Sequence, residues 1–445
     1  MYDLKTNSNT PSYPRKTCSG LTVTYPPDGS ERYRGGYGHR ENIMLNNRLR
    51  PYLPTSNLRE ARDLEEQKPL TSSYYITLTT KCNLKCKYCY GKSCEDFGSD
   101  FHDIEIDYSV PSSMNYDAEI LRRFLERDQH PAIIFYGGEP LLRIERMKEI
   151  MDAIPAAQFI LQTNGLLLEE VGPGYLNRFD SIFVSLDGDE ALTDYYRGNG
   201  TYRRVMNNLR AIREDGFSGE IVARMTVAEE TEIDKSVLSL ISGVETPISS
   251  VHWQLDALFW QNDYAKRQFA KWAANSYNPR LRRLVKAWVD HMRDTGEVWR
   301  LYPFVGVMCS LLTDERNHLR CGAGWCVFNI QTDGNITPCP VMAGMRKFYL
   351  GNIKNDSSDT LRDAVFVTEP CTSCGAFAIC GGRCLYANAT QLWGTKGTRE
   401  VCGTVLNMIR ALEDATVEVK SLLKTGRIQP QDFNYRRYNG AEIIP

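Results

Sequence analysis

The chain has 445 residues, of which 42% are hydrophobic and 24% are charged, and its formal net charge is −2. This composition is typical of a globular protein, and the length favours two domains with extensions. The low net charge argues against a nucleic-acid-binding surface and against a polybasic membrane anchor. No stretch offers the ~20 apolar residues of a membrane span, and the polar N-terminus does not resemble a secretory signal. We therefore expect a cytoplasmic protein that binds neither nucleic acid nor membrane.

The chain contains fourteen cysteines. Because a reducing cytoplasm disfavours structural disulfides, clustered cysteines there are more often metal ligands or redox groups. The spacing of the cysteines decides between these roles.

Residues 1–71 are rich in Pro, Ser, Asn, Gly, Arg and Tyr and have no sustained period, which indicates a polar N-terminal arm. From residue 72 to residue 300, short β-rich runs alternate with segments of helical spacing such as 118–127, 144–154 and 202–215. The predicted strands are 74–79, 132–135, 158–162, 181–186, 220–227 and 251–255. Such alternation predicts an α/β fold with a parallel sheet, either an open barrel or a doubly wound sheet.

Each predicted strand ends at a polar segment. These segments are Lys81–Tyr90, Gly137–Pro140, Thr163–Gly165 and Asp187-Gly188, then Arg224 and Thr226 on the fifth run, and Gln254 and Asp256 at the sixth. Parallel sheets and barrels carry their functional groups at the carboxyl ends of the strands. The pattern therefore predicts an active site on that edge.

The remainder of the chain divides into three parts. Residues 257–300 contain four tryptophans that lie among charged residues at helical spacing. This pattern predicts amphipathic helices that bury the tryptophans. Residues 301–402 predict a small, cysteine-rich and loop-rich domain. Residues 403–445 predict a terminal helix over 403–425 and a polar tail.

The first cysteine cluster, Cys82, Cys86 and Cys89, has the spacing C-x3-C-x2-C directly after the first strand. Three thiolates in one loop can bind three irons of a 4Fe–4S cube and leave the fourth iron open for a small-molecule ligand. A zinc site would more naturally show paired C-x2-C knuckles with a fourth ligand.

Together with Tyr88, this spacing resembles the signature of the radical S-adenosylmethionine (SAM) superfamily. The resemblance implies a partial (β/α)6 barrel, a SAM-binding 4Fe–4S cluster and bound SAM. It continues at Phe135–Pro140, where Gly137, Gly138, Glu139 and Pro140 look like the segment that binds the SAM amino group. Thr163 and Asn164 match the third strand end, and Ser185 and Asp187 match the fourth. Arg197 and Arg224 are candidates for the SAM carboxylate, although a structural salt bridge explains each equally well.

The second cysteine system resembles the SPASM extension of radical SAM enzymes, which holds two auxiliary 4Fe–4S clusters. Seven cysteines and Gly334 match in order over C-x12-G-x4-C and C-x2-C-x5-C-x3-C-x17-C. The resemblance assigns Cys321, Cys339 and Cys384 to the first auxiliary cluster, and Cys371, Cys374, Cys380 and Cys402 to the second. The fourth ligand of the first cluster is Cys326, Cys309 or an open iron, with Cys326 slightly favoured. A pair of structural zinc sites is the alternative for this region.

The resemblance implies reductive cleavage of SAM to a 5′-deoxyadenosyl radical, which abstracts hydrogen from a peptide or protein substrate. It also implies a low-potential electron donor of the ferredoxin or flavodoxin type. In sulfatase maturases an aspartate that acts as a base follows this cysteine, whereas here Pro340 follows Cys339, which argues against formylglycine formation. Asp256 is either a substitute for that base or a helix cap. The chain looks most like the peptide-modifying radical SAM proteins of methanogenic archaea. The alternatives are a radical SAM enzyme acting on a small cofactor precursor and a non-catalytic zinc scaffold.

Overall fold

The computed structural model describes residues 72–89, 104–128, 130–154, 157–243, 246–256, 267–361 and 365–445. The arm predicted for residues 1–71, as well as Cys18 and Cys94, lies outside the described residues.

The six predicted strands are all present, and their ends agree with the prediction to within two residues. They are β1 (Ser73–Thr79), β2 (Ala132–Gly137), β3 (Gln158–Thr163), β4 (Phe179–Ser185), β5 (Glu220–Val227) and β6 (Ser250–Leu255). All adjacent pairs are parallel. Strands of parallel sheets are covered on both faces, and all seven residues of β1 are accordingly buried.

Helices follow most of the strands, and the last helix packs on two others. Among the described residues, the α-helices of six residues or more are α1 (Ala118–Leu125), α2 (Ile144–Ala153), α3 (Glu190–Arg197), α4 (Thr201–Glu214), α5 (Ile233–Ile241), α6 (Asn278–Thr295), α7 (Tyr302–Thr313), α8 (Leu385–Thr390) and α9 (Gly394–Lys424). Of the four tryptophans before residue 300, Trp272 and Trp288 are buried, as predicted. Trp299 is partly buried after the end of α6, and Trp260 lies outside the described residues.

The cysteine-rich segment extends the same sheet. It contributes β7 (Val327–Ile330), β8 (Asn335–Thr337) and β9 (Gly351–Asn352), and the strand order is β6-β5-β4-β3-β2-β1-β7-β8-β9. Strand β7 pairs with β1 in parallel, whereas β8 and β9 are antiparallel. The segment that carries the second cysteine system is thereby joined to β1, the strand that precedes the first cysteine cluster.

The sheet curls around the C-terminal tail, which we define as residues 434–445. Ser73 of β1 donates to the carbonyl oxygen of Tyr438 at 2.6 Å, and Nε2 of His252 on β6 lies 2.8 Å from the carbonyl oxygen of Glu442. In a flat sheet β1 and β6 would lie about 24 Å apart, whereas four residues of chain span at most about 14 Å. The fold is therefore a partial barrel, as predicted, and the tail occupies its lumen.

The terminal helix is longer than predicted. Helix α9 begins at Gly394 and not at residue 403, so Cys402 lies within it. Gly394, Gly397 and Gly403 have poor helix propensity, which conceals the first turns in the sequence. Tertiary packing overrides that propensity, because Gly397 and Val401 are buried.

In the part of the chain that the structure describes, none of the helices combines the length and the apolar character that crossing a membrane requires.

Gly440 tests whether the tail is a fixed part of the barrel. Its φ is +94°, and a Cβ there would lie 2.4 Å from Nε2 of the buried Gln162. Gly426 also has a positive φ, +70°, but a Cβ there would meet no atom within 4 Å. Gly426→Ala should cost about 1 kcal/mol through backbone strain alone, and Gly440→Ala about 2–4 kcal/mol because a clash is added. Denaturant unfolding measures both, and equal losses would contradict the fixed tail.

Candidate active site

The loop after β1 carries the first three cysteines. Cys82 is exposed, whereas Cys86 and Cys89 are partly buried. Burial raises the pKa of the Cys82 and Cys86 thiols, and the Cys89 thiol lies close enough to both to raise them further. The loop therefore holds three thiols as one electrostatic group at the carboxyl end of the first strand.

The glycines at the end of β2 allow that loop to lie against the sheet. A Cβ on Gly137 would lie 2.2 Å from the carbonyl oxygen of Thr79, and one on Gly138 would lie 2.3 Å from that of Lys81. Gly138 and Glu139 instead donate backbone N–H groups to these same two oxygens, at 2.8 and 2.9 Å. Only glycine permits this approach.

Glu139 is fully buried and connects the ends of β2 and β3. Its carboxylate accepts hydrogen bonds from the N–H of Leu141 at 3.0 Å, the hydroxyl of Thr163 at 2.7 Å and the N–H of Asn164 at 2.7 Å. Burial raises the pKa of Glu139 to about 7 despite these donors. A cation bound here would favour the ionised form, which is the chemistry expected of an ammonium-binding carboxylate.

Asp187 is also fully buried, and it joins the cysteine loop to two other elements. Its carboxylate accepts a short hydrogen bond from the Tyr88 hydroxyl, a two-pronged pair from Arg197 at 2.8 and 2.9 Å, and the N–H of Thr226 at 3.0 Å. Tyr88 immediately precedes Cys89, so this carboxylate positions the loop that carries the thiols.

The two arginines predicted for the SAM carboxylate already have partners within the protein. Arg197 is committed to Asp187, and its side chain is only 7% exposed. Arg224 donates to Gln162 and to Gln254, each at 2.7 Å, and lies 3.5 Å from Glu442. A role in structural ion pairs and hydrogen bonds is therefore better supported for both arginines than binding of the SAM carboxylate.

The other predicted residues lie around the same edge. Pro140 is buried at the start of a short 3-10 turn, and Ser185 is partly exposed at the end of β4. Asp256 follows β6 and pairs with Arg267 at 3.1 Å. Burial raises the pKa of Asp256, and Arg267 opposes that rise.

Sequence reasoning missed Glu442, which the tail brings into the lumen. Its carboxylate lies 3.2 Å from Nε2 of His252 and 3.5 Å from Arg224. Burial by itself would raise the pKa of Glu442, but Arg224 and His252 outweigh it and lower the pKa to about 2. The only hint in the sequence is the run Ala441-Glu442-Ile443-Ile444-Pro445, which is mostly apolar within an otherwise polar tail.

The cysteines of the second system form two further groups. Cys321, Cys339 and Cys384 constitute one, since the Cys384 thiol raises the pKa values of both Cys321 and Cys339. Burial is the larger cause of each rise and brings the pKa of Cys321 to about 12. The other group is Cys371, Cys374, Cys380 and Cys402. Burial raises the pKa of Cys371 to about 12 and of Cys380 to about 11, and thiols of the same group reinforce both rises.

The two candidates for the remaining ligand are placed differently. Cys326 is buried directly before β7, and its sulfur would lie 2.7 Å from a Cβ added to Gly322. Cys309 is buried in α7 and is disulfide-bonded.

The spacing of these groups bears on which metal they suit. A tetrahedral zinc ion binds sulfur at about 2.3 Å and so draws its ligands to about 3.8 Å from one another. Among the residues described, no three His, Cys, Asp or Glu side chains are gathered closely enough to hold a single ion. A four-iron cube tolerates wider spacing because each thiolate binds a different iron.

Comparison with known proteins agrees with this arrangement. Residues 76–241 match the family model described as the radical SAM superfamily. The chain thus contains a radical SAM domain, and this match spans β1 to α5, including the three-cysteine loop.

The chain is similar over most of its length to one curated group of enzymes. It is 24% identical over 330 residues to the cysteine-type anaerobic sulfatase-maturating enzyme of Clostridium perfringens (strain 13 / Type A), covering 68% of this chain and 85% of that enzyme. It is 30% identical to pre-heme d1 synthase of Dinoroseobacter shibae, but over only 35% of this chain and 36% of that enzyme.

Among solved structures, native anSMEcpe with bound AdoMet superposes with a TM-score of 0.62 at 20% identity, covering 78% of this chain and 99% of that one. At this identity the likeness concerns the fold. The same protein has also been solved with AdoMet and a peptide named Cp18Cys.

The role of Asp187 can be tested against a surface triad of the same composition. Asp152 accepts from Tyr175 at 2.7 Å and pairs with Arg178 at 2.6 Å, but it is 55% exposed. Asp187→Asn leaves the buried Arg197 unpaired and should cost about 3–5 kcal/mol of unfolding free energy. Asp152→Asn should be nearly neutral because solvent screens that pair. If denaturant unfolding gave the same loss for both, the positioning role of Asp187 would be refuted.

Proposed function

We propose that the chain is a SPASM-type radical SAM enzyme that carries one SAM-binding and two auxiliary 4Fe–4S clusters and modifies a peptide or protein. The observation that carries this proposal is the association of ten cysteines into groups of three, three and four. Each group corresponds to one cluster of the family pattern.

In this proposal Cys82, Cys86 and Cys89 hold the cluster to which SAM binds. The reduced cluster with SAM supplies a radical that abstracts hydrogen from the substrate. Glu139 binds the SAM ammonium, with the main chain of Gly137 and Gly138 alongside.

The other predicted side chains position this machinery. Thr163, Asn164 and Ser185 border the SAM site. Asp187, Arg197 and Tyr88 act through the loop that they fix.

A peptide substrate is favoured by the extent of similarity. The relative that aligns over 85% of its length is a sulfatase-maturating enzyme, and the pre-heme d1 synthase aligns over only 36%. The likeness to an enzyme that acts on a small molecule is thus confined to part of the chain.

The charges of the lumen also favour a peptide. Arg224 and Glu442 are each 22% exposed and face one another, and Arg267 is paired with Asp256 and Glu229. Such neutralised cations suit a dipolar amide group, which presents a carbonyl to one charge and an N–H to the other. They provide no surplus positive charge for a polycarboxylate or a triphosphate.

We propose that the product of the reaction is not formylglycine. Pro340 stands after Cys339, and Asp256 is held by Arg267. A crosslink, a thioether or an oxidation remains the class of product, with a ferredoxin- or flavodoxin-type reductant supplying electrons.

Anaerobically purified protein should contain about twelve irons per chain, from three cubic clusters. Cys86→Ala should lose about four of these and form no 5′-deoxyadenosine, because its open cluster cannot assemble. Cys371→Ala serves as the matched control, since it should lose iron but retain a cluster whose EPR signal responds to SAM. Protein that contains zinc and no iron would overturn the proposal.

The substrate class can be tested by the rate of 5′-deoxyadenosine formation in the presence of SAM and reductant. Pools of Cys- and Tyr-containing peptides should stimulate the rate and acquire a mass change, because the lumen suits amide groups. A carboxylated tetrapyrrole and GTP should have no effect. Stimulation by either small molecule, with none by peptides, would favour the cofactor-precursor alternative.

A further inference from the structure

Arg320 is a buried arginine whose hydrogen bonds all go to neutral groups. It is 5% exposed, and its guanidinium donates to the carbonyl oxygens of Ile379 at 2.6 Å and Gly306 at 3.1 Å and to the Ser310 hydroxyl at 2.8 Å. No carboxylate in the described part of the chain forms a salt bridge with it. Burying a charge without a counter-charge is costly, so an anion is expected beside it.

Two other arginines, the buried Arg197 and the partly buried Arg437, show what is missing at Arg320. Arg197 faces Asp187, and Arg437 forms a two-pronged pair with Glu315. Glu315 is also near Arg320, but Arg437 already neutralises it.

Arg320 lies where the two auxiliary cysteine groups meet. It directly precedes Cys321 of one group, and its partner Ile379 directly precedes Cys380 of the other. Backbone hydrogen bonds from Asn317 to Ala378 and from Leu319 to Gly381, both 2.7 Å long, join the two segments. The Cys380 thiol is close enough to Arg320 to interact with it electrostatically.

We propose that Arg320 is the shared counter-cation of the two auxiliary clusters and that it raises their reduction potentials. This inference rests on the proposed function, because it requires both clusters. A thiolate-bound cube gains negative charge when it is reduced, and a cation buried nearby stabilises the reduced form. The auxiliary clusters are thereby suited to accept an electron from the substrate.

The test is a redox titration of the full-length, cluster-loaded enzyme, followed by EPR. At the poise where half of the wild-type auxiliary clusters are reduced, Arg320→Gln should lower the ratio of reduced to oxidised cluster at least tenfold. That corresponds to about 59 mV for a one-electron couple. Arg320→Lys keeps the charge and should stay within about threefold of wild type. The SAM-binding cluster, which is recognised by its response to SAM, should not shift.

Arg213→Gln is the matched control. Arg213 also donates only to neutral groups, namely the carbonyl oxygens of Phe217, Gly219 and Pro247 and the Ser249 hydroxyl. It lies on α4, and no described cysteine is near these partners in the sequence. Its replacement should leave every potential unchanged.

Iron analysis separates the two proposals. Protein without three clusters refutes the proposed function, whereas three clusters with unchanged potentials in Arg320→Gln refute the inference alone. If Arg320→Gln does not retain its clusters, the ratio of reduced to oxidised cluster in Arg320→Lys tests the inference instead. An unchanged ratio then supports the charge-based role, and a tenfold shift overturns it.

Discussion

The carboxylate of Asp187 receives hydrogen bonds from three parts of the molecule, and the arrangement of the cysteine loop depends on it. Tyr88 brings the loop, Arg197 brings α3, and Thr226 brings the end of β5 to the end of β4. Because the carboxylate is fully buried, each donor is worth more than it would be in water, and losing one leaves a group that no solvent can reach. The thiol-bearing loop is thus fixed to the strand ends by charge as well as by the close glycine contacts of β2.

The lumen shows a second use of paired charge. The tail places Glu442 beside Arg224 and His252, so the interior of the barrel is polar but nearly neutral. A pair of opposite charges attracts strongly charged molecules less than either charge would alone. The tail also closes the barrel from within, and this agrees with the buried Ile443 and Ile444 that follow Glu442.

The charges of the cysteine-rich segment are arranged differently from those of the lumen. Buried thiols accumulate in two groups whose pKa values rise on burial, and Arg320 stands between them without a carboxylate. Clusters would resolve both features at once, since iron binds the thiolates and the resulting anion neutralises the guanidinium. Apolar burial alone explains neither.

The sequence alone determined the six strands and their alternation with helices, and it predicted three groups of cysteines. Local information suffices for these, because β-branched runs, strand-end punctuation and cysteine spacing are properties of neighbouring residues. The partial barrel followed from the resemblance, since periodicity is the same for a curled sheet and a flat one.

Only the tertiary structure decided the partners of the charged side chains. Arg224 meets Glu442 across 218 residues of chain, and Arg320 meets the segment of Cys380 across 59. The start of α9 at Gly394 was likewise hidden, because packing outweighs the poor propensity of its glycines. Such contacts depend on where the sheet curls and where the tail enters it, and no pattern of adjacent residues encodes either.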